Sequence, residues 1–422
     1  MRAAAAFRIW LIAALVCGSF GIGISEFVVM GLLPGIAEDL MPRLFAASPE
    51  SALALAGGTV SAYALGVVVG MFVAPWLLRR RSERAAVLIC ALAMLLWTLC
   101  TAWSPTIELA ILLRFCAALT HAAYVGLAAV LVGRMLGPGR QGSGAALVMG
   151  GFAIANLLGV PVLTAIGDGG DWRLVLVLCA GLFAIPVVAL SLARPPAPLQ
   201  PATAGGERTG EPAARLGALV LAVTVLASGC FLAVTYVAPI AEWLQQDAGG
   251  LSVAAAMLAF GIGMNLGNFG CGRIADRSAD AALLGSGAAG AVGAAALCIP
   301  AGGAVSVGAG MLLVGIGLGG VSPAAQVLYV RIAARFPKFA ASLASGTVNL
   351  GSFAGASLGA GALGWLGIAW VPMTALMLFG IGIALQLGRM LGRGRTAELS
   401  AATARARAAR RRDPADTPTG SP

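Results

Sequence analysis

Apolar residues along this chain come in runs of about 20, separated by short charged or turn-rich stretches. A helix of that length crosses a hydrocarbon layer of roughly 30 Å. The runs do not alternate apolar and polar positions, which excludes a transmembrane barrel. The first six predicted spans are 9–33, 53–77, 85–103, 107–133, 143–166 and 172–193. The second six are 216–240, 251–272, 280–300, 303–330, 341–364 and 367–389.

The composition supports a membrane protein. Hydrophobic residues make up 59% of the 422 residues and charged residues 10%, whereas soluble domains carry roughly 25% charged residues. The mean hydropathy is +0.93. The first apolar run is longer than the roughly 7–15 apolar residues of a cleavable signal, so we expect it to stay as the first helix.

Polar segments divide the chain into two halves. Residues 194–215 are rich in proline, glycine and charge and cannot cross lipid, which indicates a flexible linker. The pattern predicts an all-α polytopic protein with twelve transmembrane helices in two pseudo-symmetric six-helix halves. Residues 1–193 form the first bundle, 194–215 the linker, 216–390 the second bundle and 391–422 a disordered basic tail.

The distribution of positive charge predicts the orientation. If the N-terminus is cytoplasmic, that side holds 24 of the 27 basic residues, and two lie outside, Arg43 and Arg173. Short loops rich in arginine stay in the cytoplasm. We therefore expect both termini in the cytoplasm and attribute the net charge of +10 to topology, not to nucleic-acid binding.

Patterns typical of soluble enzymes or metal sites carry no weight in this chain. The eight cysteines are dispersed without CxxC or Cys/His pairing, so they predict neither a disulfide frame nor a metal. "GASLG" at 355–359 and "GIGLGG" at 315–320 lie inside apolar helices, where small residues permit close packing. No phosphate-binding P-loop is present. We expect no enzyme activity and no cofactor.

The two halves look alike where their second and third spans join, at "GMFVAPWLLRRRSER" from Gly70 and "GRIADRSAD" from Gly272. The chain also contains "SEFVVMGLLPGIAEDL" in span 1, "RFCAALTHAAYVGLAAVL" in span 4 and "FGIGMNLGNFGCGRIADR" in span 8. With these motifs it resembles the major facilitator superfamily, in particular twelve-span drug:proton antiporters such as bacterial chloramphenicol, arabinose and purine exporters. The resemblance covers the chain from residue 7 to residue 390.

The resemblance assigns a gating role to the loop signature of the family, a glycine followed by an Asp-Arg pair. The second half has it as Gly272, Asp276 and Arg277. The first half keeps Gly70, but Ala74 and Pro75 stand at the Asp-Arg positions. A charge lock through that aspartate is therefore not expected in the first half.

Three ionisable side chains lie deep within spans, namely Glu26, Arg114 and His121. Such groups are costly in lipid and usually face a cavity or a partner. Glu26 precedes the outer end of span 1 by seven residues, and Arg114 follows the outer end of span 4 by seven, so both lie roughly 10 Å below the surface. In the fold that the resemblance implies, spans 1 and 4 both line the central cavity, and a Glu26–Arg114 pair, direct or through water, is expected.

The functional hypothesis is that Glu26 exchanges a proton for substrate. Arg114 then keeps the Glu26 carboxylate ionised when the site is empty. The alternative is a structural bridge, or an interfacial Glu26 at a span that ends early. His121, seven residues beyond Arg114, either relays protons or serves helix packing.

Polar side chains within other spans are candidates for the substrate cavity, or for bonds between helices. They are Tyr63, Asn156, Tyr236, Asn265, Gln326 and Asn349.

The sequence and the resemblance together predict a proton-coupled antiporter that exports a small organic molecule, such as a drug, sugar or metabolite, by alternating access. We expect a monomer in the lipid bilayer of a bacterial inner membrane, with protons and the substrate as its partners. A proton symporter for uptake has the same architecture and remains an alternative, as does a membrane receptor that does not transport.

Overall fold

The structure is a computed structural model that describes residues 2–137, 141–168, 171–192, 213–244, 250–299, 302–332 and 337–411. Every regular element in these ranges is a helix. Within the described residues eleven helices are long and apolar enough to cross a membrane, and the 25-residue helix Pro337–Gly361 is long enough to be the twelfth. The predicted all-α, twelve-helix architecture is confirmed.

The first half contains spans 1 to 6. Their bounds are Arg2–Gly31 for span 1, Gly58–Leu78 for span 2, Glu83–Ala102 for span 3, Ile107–Ala118 with His121–Leu136 for span 4, Gln141–Ile154 with Val160–Gly167 for span 5 and Trp172–Leu192 for span 6. Two short helices, Leu33–Leu40 and Pro42–Ala47, follow span 1. The helix Pro49–Ala56 then leads into span 2.

The second half contains spans 7 to 12. Span 7 is Ala213–Thr235 and is followed by the helix Val237–Leu244, spans 8 and 9 lie within Val253–Leu297, span 10 is Gly303–Ile332, span 11 is Pro337–Gly361 and span 12 begins at Trp370. The backbone of Ser278 is extended, with φ −149° and ψ 98°, and this residue separates spans 8 and 9. The Oγ of Ser278 accepts a hydrogen bond from the Ala281 amide, which starts span 9 as a helix cap does.

Several spans are broken or widened in ways that the apolar pattern does not show. Span 4 is interrupted at Leu119 and Thr120. Residues Ala155–Gly159 of span 5 form a π-helix, and Ala362–Leu366 form another after span 11. Such π-helical turns are often found at functional sites.

The ends of the spans define two ends of the bundle. We call the end that holds Arg79, Arg80, Arg81 and Arg84 the arginine-rich end, and the end that holds the segment 32–57 the opposite end. Arg84 donates hydrogen bonds to the carbonyls of Leu190 and Ser191, at the last turn of span 6. These bonds join span 3 to span 6 at the arginine-rich end.

Spans 2 and 4 approach each other closely through glycine. A Cβ atom at Gly66 would overlap the carbonyl oxygen of Phe115, and one at Gly70 would overlap that of Leu119. Glycine is therefore required at both positions, because its missing Cβ lets the two backbones touch.

Spans 8 and 10 repeat this arrangement in the second half. A Cβ at Gly263 would overlap the carbonyl oxygen of Leu312, and one at Gly267 would overlap that of Ile316. The shared four-residue spacing on both partners supports an internal duplication. It equates Gly70 with Gly267, whereas the sequence comparison matched Gly70 with Gly272.

The last helix extends beyond the end that the sequence predicts for it. It runs from Trp370 to Arg411 and so includes residues 391–411, which were expected to belong to a disordered tail. Apart from Gly392 and Gly394 this stretch is rich in alanine and arginine, which favour a helix, and its first proline is Pro414. The predicted linker residues 194–212 and the tail from 412 onward lie outside the described residues.

Candidate functional site

Glu26 lies on span 1 in the interior of the bundle. Its side chain is 7% exposed. Among the described residues none forms a hydrogen bond with its carboxylate or an ion pair with it within 4 Å. Arg114 is close enough for the two charges to interact. The carboxylate is thus buried beside a cation without being held by it.

Arg114 is bound to span 1 one residue before Glu26. Its two terminal nitrogens donate to the Oγ of Ser25 at 3.0 Å and to the carbonyl of Ser25 at 2.9 Å. The ring of Tyr63 lies against its guanidinium, 4.2 Å from centroid to Cζ. The Nε of Arg114 has no hydrogen-bond partner in the described residues. Spans 1, 2 and 4 therefore meet around this one cation.

His121 joins the same group through Tyr63. Its Nδ1 lies 3.2 Å from the hydroxyl of Tyr63, and its side chain is 8% exposed. His121 is the first residue of the second segment of span 4, after the break at Leu119 and Thr120. The break separates His121 from the helix segment that carries Arg114, and Tyr63 contacts both residues.

The structure brings the three predicted ionisable residues into one region and changes their connections. The predicted shared level of Glu26 and Arg114 agrees with the contact between Arg114 and Ser25. A direct ion pair between Glu26 and Arg114, which was one of two expectations, does not occur. The role of Ser25 was not predicted. The sequence indicates it only in that Ser25 is a hydroxyl residue beside Glu26 in an otherwise apolar run, and a buried arginine needs hydrogen-bond acceptors.

Four phenylalanine rings from both halves pack next to this site. The ring of Phe27 stacks on Phe231 of span 7 at 5.9 Å between centroids and lies 5.8 Å from Phe260 of span 8. Phe152 of span 5 meets Phe27 edge-on at 6.2 Å. We call these four residues the aromatic cluster. The cluster is apolar, begins directly after Glu26 and joins the two halves.

Spans 5 and 8 provide another contact between the halves. The Asn265 amide donates to the carbonyl of Gly261 at 2.9 Å and to that of Ala153 at 3.4 Å. Asn156 lies in the π-helical turn and donates to the carbonyl of Phe152 at 3.1 Å. The Oδ1 of Asn156 is buried and has no partner in the described part of the chain. Of the two predicted cavity residues Asn156 and Asn265, Asn156 therefore has a side-chain oxygen that could accept a hydrogen bond from a ligand.

The remaining cavity candidates differ in their surroundings. Tyr236, between span 7 and the helix Val237–Leu244, is fully buried, and its hydroxyl donates to the carbonyl of Ala356 in span 11. Asn349 is 7% exposed. Gln326 is exposed. The structure does not bring these three residues into the group around Arg114.

A groove of about 470 Å³ lies at the arginine-rich end between spans 8 and 10. Its lining residues are Asn268, Phe269, Gly272, Arg273, Ala275, Pro323 and Val327. Of the predicted gating residues, Gly272 lines this groove and Arg277 is exposed. Gly70 is buried against span 4. The side chain of Asp276 lies outside the described side chains.

Two bundles of six helices, with a buried charged group within the transmembrane region, are typical of a secondary membrane transporter. The chain matches the Major Facilitator Superfamily model over residues 15–360. It belongs to this superfamily. As a member it is a multi-pass membrane transporter and not an enzyme.

The similar proteins include several transporters. The chain is 31% identical to the inner membrane transport protein YdhP of Escherichia coli (strain K12) over 377 residues, which cover 88% of this chain and 94% of YdhP. It is 29% identical to the chloramphenicol resistance protein of Streptomyces lividans over 385 residues, covering 84% and 89% of the two chains. The crystal structure of nucleoside transporter NupG has a TM-score of 0.69 at 14% identity, covering 91% and 98%, and supports the fold alone.

Proposed function

We propose that this protein is a proton-coupled antiporter that exports a small organic molecule across a bacterial inner membrane, with Glu26 as the proton-binding group. The observation that carries the proposal is a buried carboxylate, next to a fixed cation, that the described residues leave without a structural hydrogen bond. A carboxylate in such a position can accept a proton or a substrate group without breaking the fold.

The fixed position of Arg114 defines what each residue would do. Since Ser25 and Tyr63 hold the guanidinium, its positive charge stays beside Glu26 whether or not the carboxylate is protonated. The cation stabilises the ionised carboxylate after the proton leaves. Tyr63 connects Arg114 with His121, which begins the second segment of span 4. We include Tyr63 and His121 among the residues that couple proton movement to transport.

The direction of transport is proposed from the relatives. The name of the Streptomyces lividans relative is that of a chloramphenicol resistance protein, and that of the Escherichia coli relative is an inner membrane transport protein. Resistance proteins of a transporter family commonly act by removing the compound. In the proposed cycle a proton leaves Glu26 on the cytoplasmic side, substrate binds, the halves rearrange, and an outside proton displaces the substrate.

The test is a growth assay with a panel of antibiotics and sugar analogues, comparing a sensitive host that carries the wild type with one that carries Glu26→Gln. We expect at least one compound against which the wild type protects and Glu26→Gln does not, although both proteins reach the membrane in equal amount. In vesicles with an imposed pH gradient, adding that compound should dissipate the gradient when the vesicles contain the wild type and not when they contain Glu26→Gln.

Two variants control the test. Glu108→Gln removes an exposed carboxylate at the opposite end and should keep full protection. Glu26→Asp keeps a carboxyl group and should retain part of it. Full protection by Glu26→Gln would contradict the proposed proton site, and accumulation of the compound inside cells with the wild type would favour uptake by symport.

A further inference from the structure

A carboxylate from the first half binds the backbone of the second half at the opposite end of the bundle. Glu50 lies in the first turn of the helix Pro49–Ala56, which continues through Gly57 into span 2. Its Oε1 accepts a hydrogen bond from the amide of Ile368 at 3.2 Å. Ile368 lies two residues before span 12 begins at Trp370.

The acceptor and the donor are both suited to this contact. An amide near the start of a long helix carries partial positive charge, so a carboxylate is favoured there. Gly367, with φ +91°, makes the turn that exposes the Ile368 amide. A Cβ atom at Gly367 would lie 3.6 Å from the Glu50 carboxylate, so the carboxylate is seated directly under this turn.

The segment that precedes Glu50 is fastened to the first half. Asp39, in the helix Leu33–Leu40, forms an ion pair with Arg173 at 2.7 Å and accepts a hydrogen bond from the Trp172 indole at 3.1 Å. Arg173 also donates to the carbonyl of Ala102. The segment between spans 1 and 2 is thus attached to spans 3 and 6 of the first half. The bond from Glu50 to Ile368 therefore connects the first half with the second.

The contact lies at the rim of a larger interface. The Ser357 hydroxyl of span 11 donates to the Oγ of Ser61 of span 2 at 3.2 Å, one turn inward from the helix of Glu50. The aromatic cluster closes the same interface deeper in the bundle. Separation of the halves at this end must break all three contacts.

We propose that Glu50 is a latch that holds the two halves together at the opposite end. Its bond to Ile368 stabilises the conformation that is closed there, and the transport cycle breaks and remakes it. The inference goes beyond proton coupling, since it concerns the closure of one end and does not involve Glu26.

The test is amide hydrogen exchange of the full-length protein in lipid nanodiscs, without substrate or pH gradient. Wild type is compared with Glu50→Gln and with Glu108→Gln, a matched loss of a carboxylate at the same end. We expect Glu50→Gln to exchange up to about tenfold faster, because glutamine can still accept the bond from Ile368 but a hydrogen bond to a charged group is the stronger by about that factor. The increase should appear in residues 366–371 and also in residues 24–32 and 228–236 around the aromatic cluster, whereas Glu108→Gln should match the wild type.

A second variant tests the contact from the other half. Gly367→Ala strains the turn at φ +91°, so it should give the same pattern, and the double variant should exceed neither single variant by more than about twofold. Faster exchange confined to residues 366–371, or no change in either variant, would overturn the latch. Failure of Glu26→Gln to lose transport would overturn the proton site and leave this result unaffected.

Discussion

Arg114 shows how a single charge is accommodated inside the bundle. Burying a guanidinium in a membrane costs several kcal/mol. Two hydrogen bonds to Ser25 and the face of the Tyr63 ring offset this cost, since a charged hydrogen bond contributes about 1.5–3 kcal/mol and a desolvated cation–π contact about 2 kcal/mol. Because these partners hold two of its nitrogens, Arg114 keeps its place without an ion pair to Glu26, and its Nε is left without a partner among the described residues.

The side chain of Tyr63 makes two contacts, its hydroxyl with His121 and its ring with Arg114. Two substitutions of Tyr63 measure these contacts separately. Tyr63→Phe removes the hydroxyl that meets His121 and keeps the ring against Arg114, so we expect a loss of about 1 kcal/mol. Tyr63→Leu also removes the ring and should cost about 2 kcal/mol more. Thermal unfolding of the purified variants measures the difference, and equal apparent melting temperatures would contradict the role of the ring.

The length of each span was predictable, and its interruptions were not. Runs of apolar residues located the spans to within a few residues at most ends, because hydrocarbon thickness sets their length. The break at Leu119 and the π-helical turn at Ala155–Gly159 leave no signature in the apolar pattern. The π-helical turn ends two residues before Pro161, which has no amide hydrogen to donate within the helix. Helix rise similarly placed Glu26 and Arg114 at one level, but level alone does not specify rotation, so the Ser25 contact could not be derived.

Glycine spacing was a partial exception. The four-residue spacing of Gly66 with Gly70 and of Gly263 with Gly267 is a sequence pattern that permits close helix contact. The structure supplies the partners, Phe115 with Leu119 and Leu312 with Ile316. The partner atoms are backbone carbonyl oxygens. Since every residue has one, the sequence does not show which residues the glycines contact. The matched geometry in both halves shows that spans 2 and 4 have their equivalents in spans 8 and 10.

The packing of span 8 on span 10 predicts opposite effects for two glycines of one helix. A Cβ at Gly267 would overlap the Ile316 carbonyl, so Gly267→Ala must push the spans apart and should cost about 1–3 kcal/mol. A Cβ at Gly270 meets nothing within 4 Å. Gly270→Ala should therefore be neutral or stabilise by about 0.5–1 kcal/mol through helix propensity. Apparent melting temperatures in one detergent test this, and a Gly267→Ala variant as stable as Gly270→Ala would contradict it.

At the scale of the molecule, the contacts between halves run from the opposite end to the middle of the bundle. Glu50, Ser61 and Phe27 mark three successive depths of this interface. The groove beside Gly272 lies at the arginine-rich end. If that end is cytoplasmic, as the arginine distribution predicts, the structure corresponds to a conformation closed toward the outside.

Two exposed carboxylates of different halves interact electrostatically at the opposite end and give the protein a pH dependence. Glu242 lies in the helix Val237–Leu244 of the second half, and Asp168 follows span 5 of the first half. Partial burial raises the pKa of Glu242 above its ordinary value of 4.5, and the Asp168 carboxylate raises that pKa further. The folded, closed arrangement therefore binds this proton more tightly than the unfolded chain does. The associated stability is complete below pH 4.5 and is lost as the pH rises through the raised pKa.

We expect the apparent melting temperature of the wild type to fall more between about pH 4 and pH 7 than that of Glu242→Gln, which carries no charge at this position at any pH. Glu108→Gln corrects for the general titration of exposed carboxylates and should follow the wild type. Parallel curves for wild type and Glu242→Gln would contradict the raised pKa of Glu242. A smaller slope in Glu242→Gln alone would show that ionisation of Glu242 destabilises the folded protein.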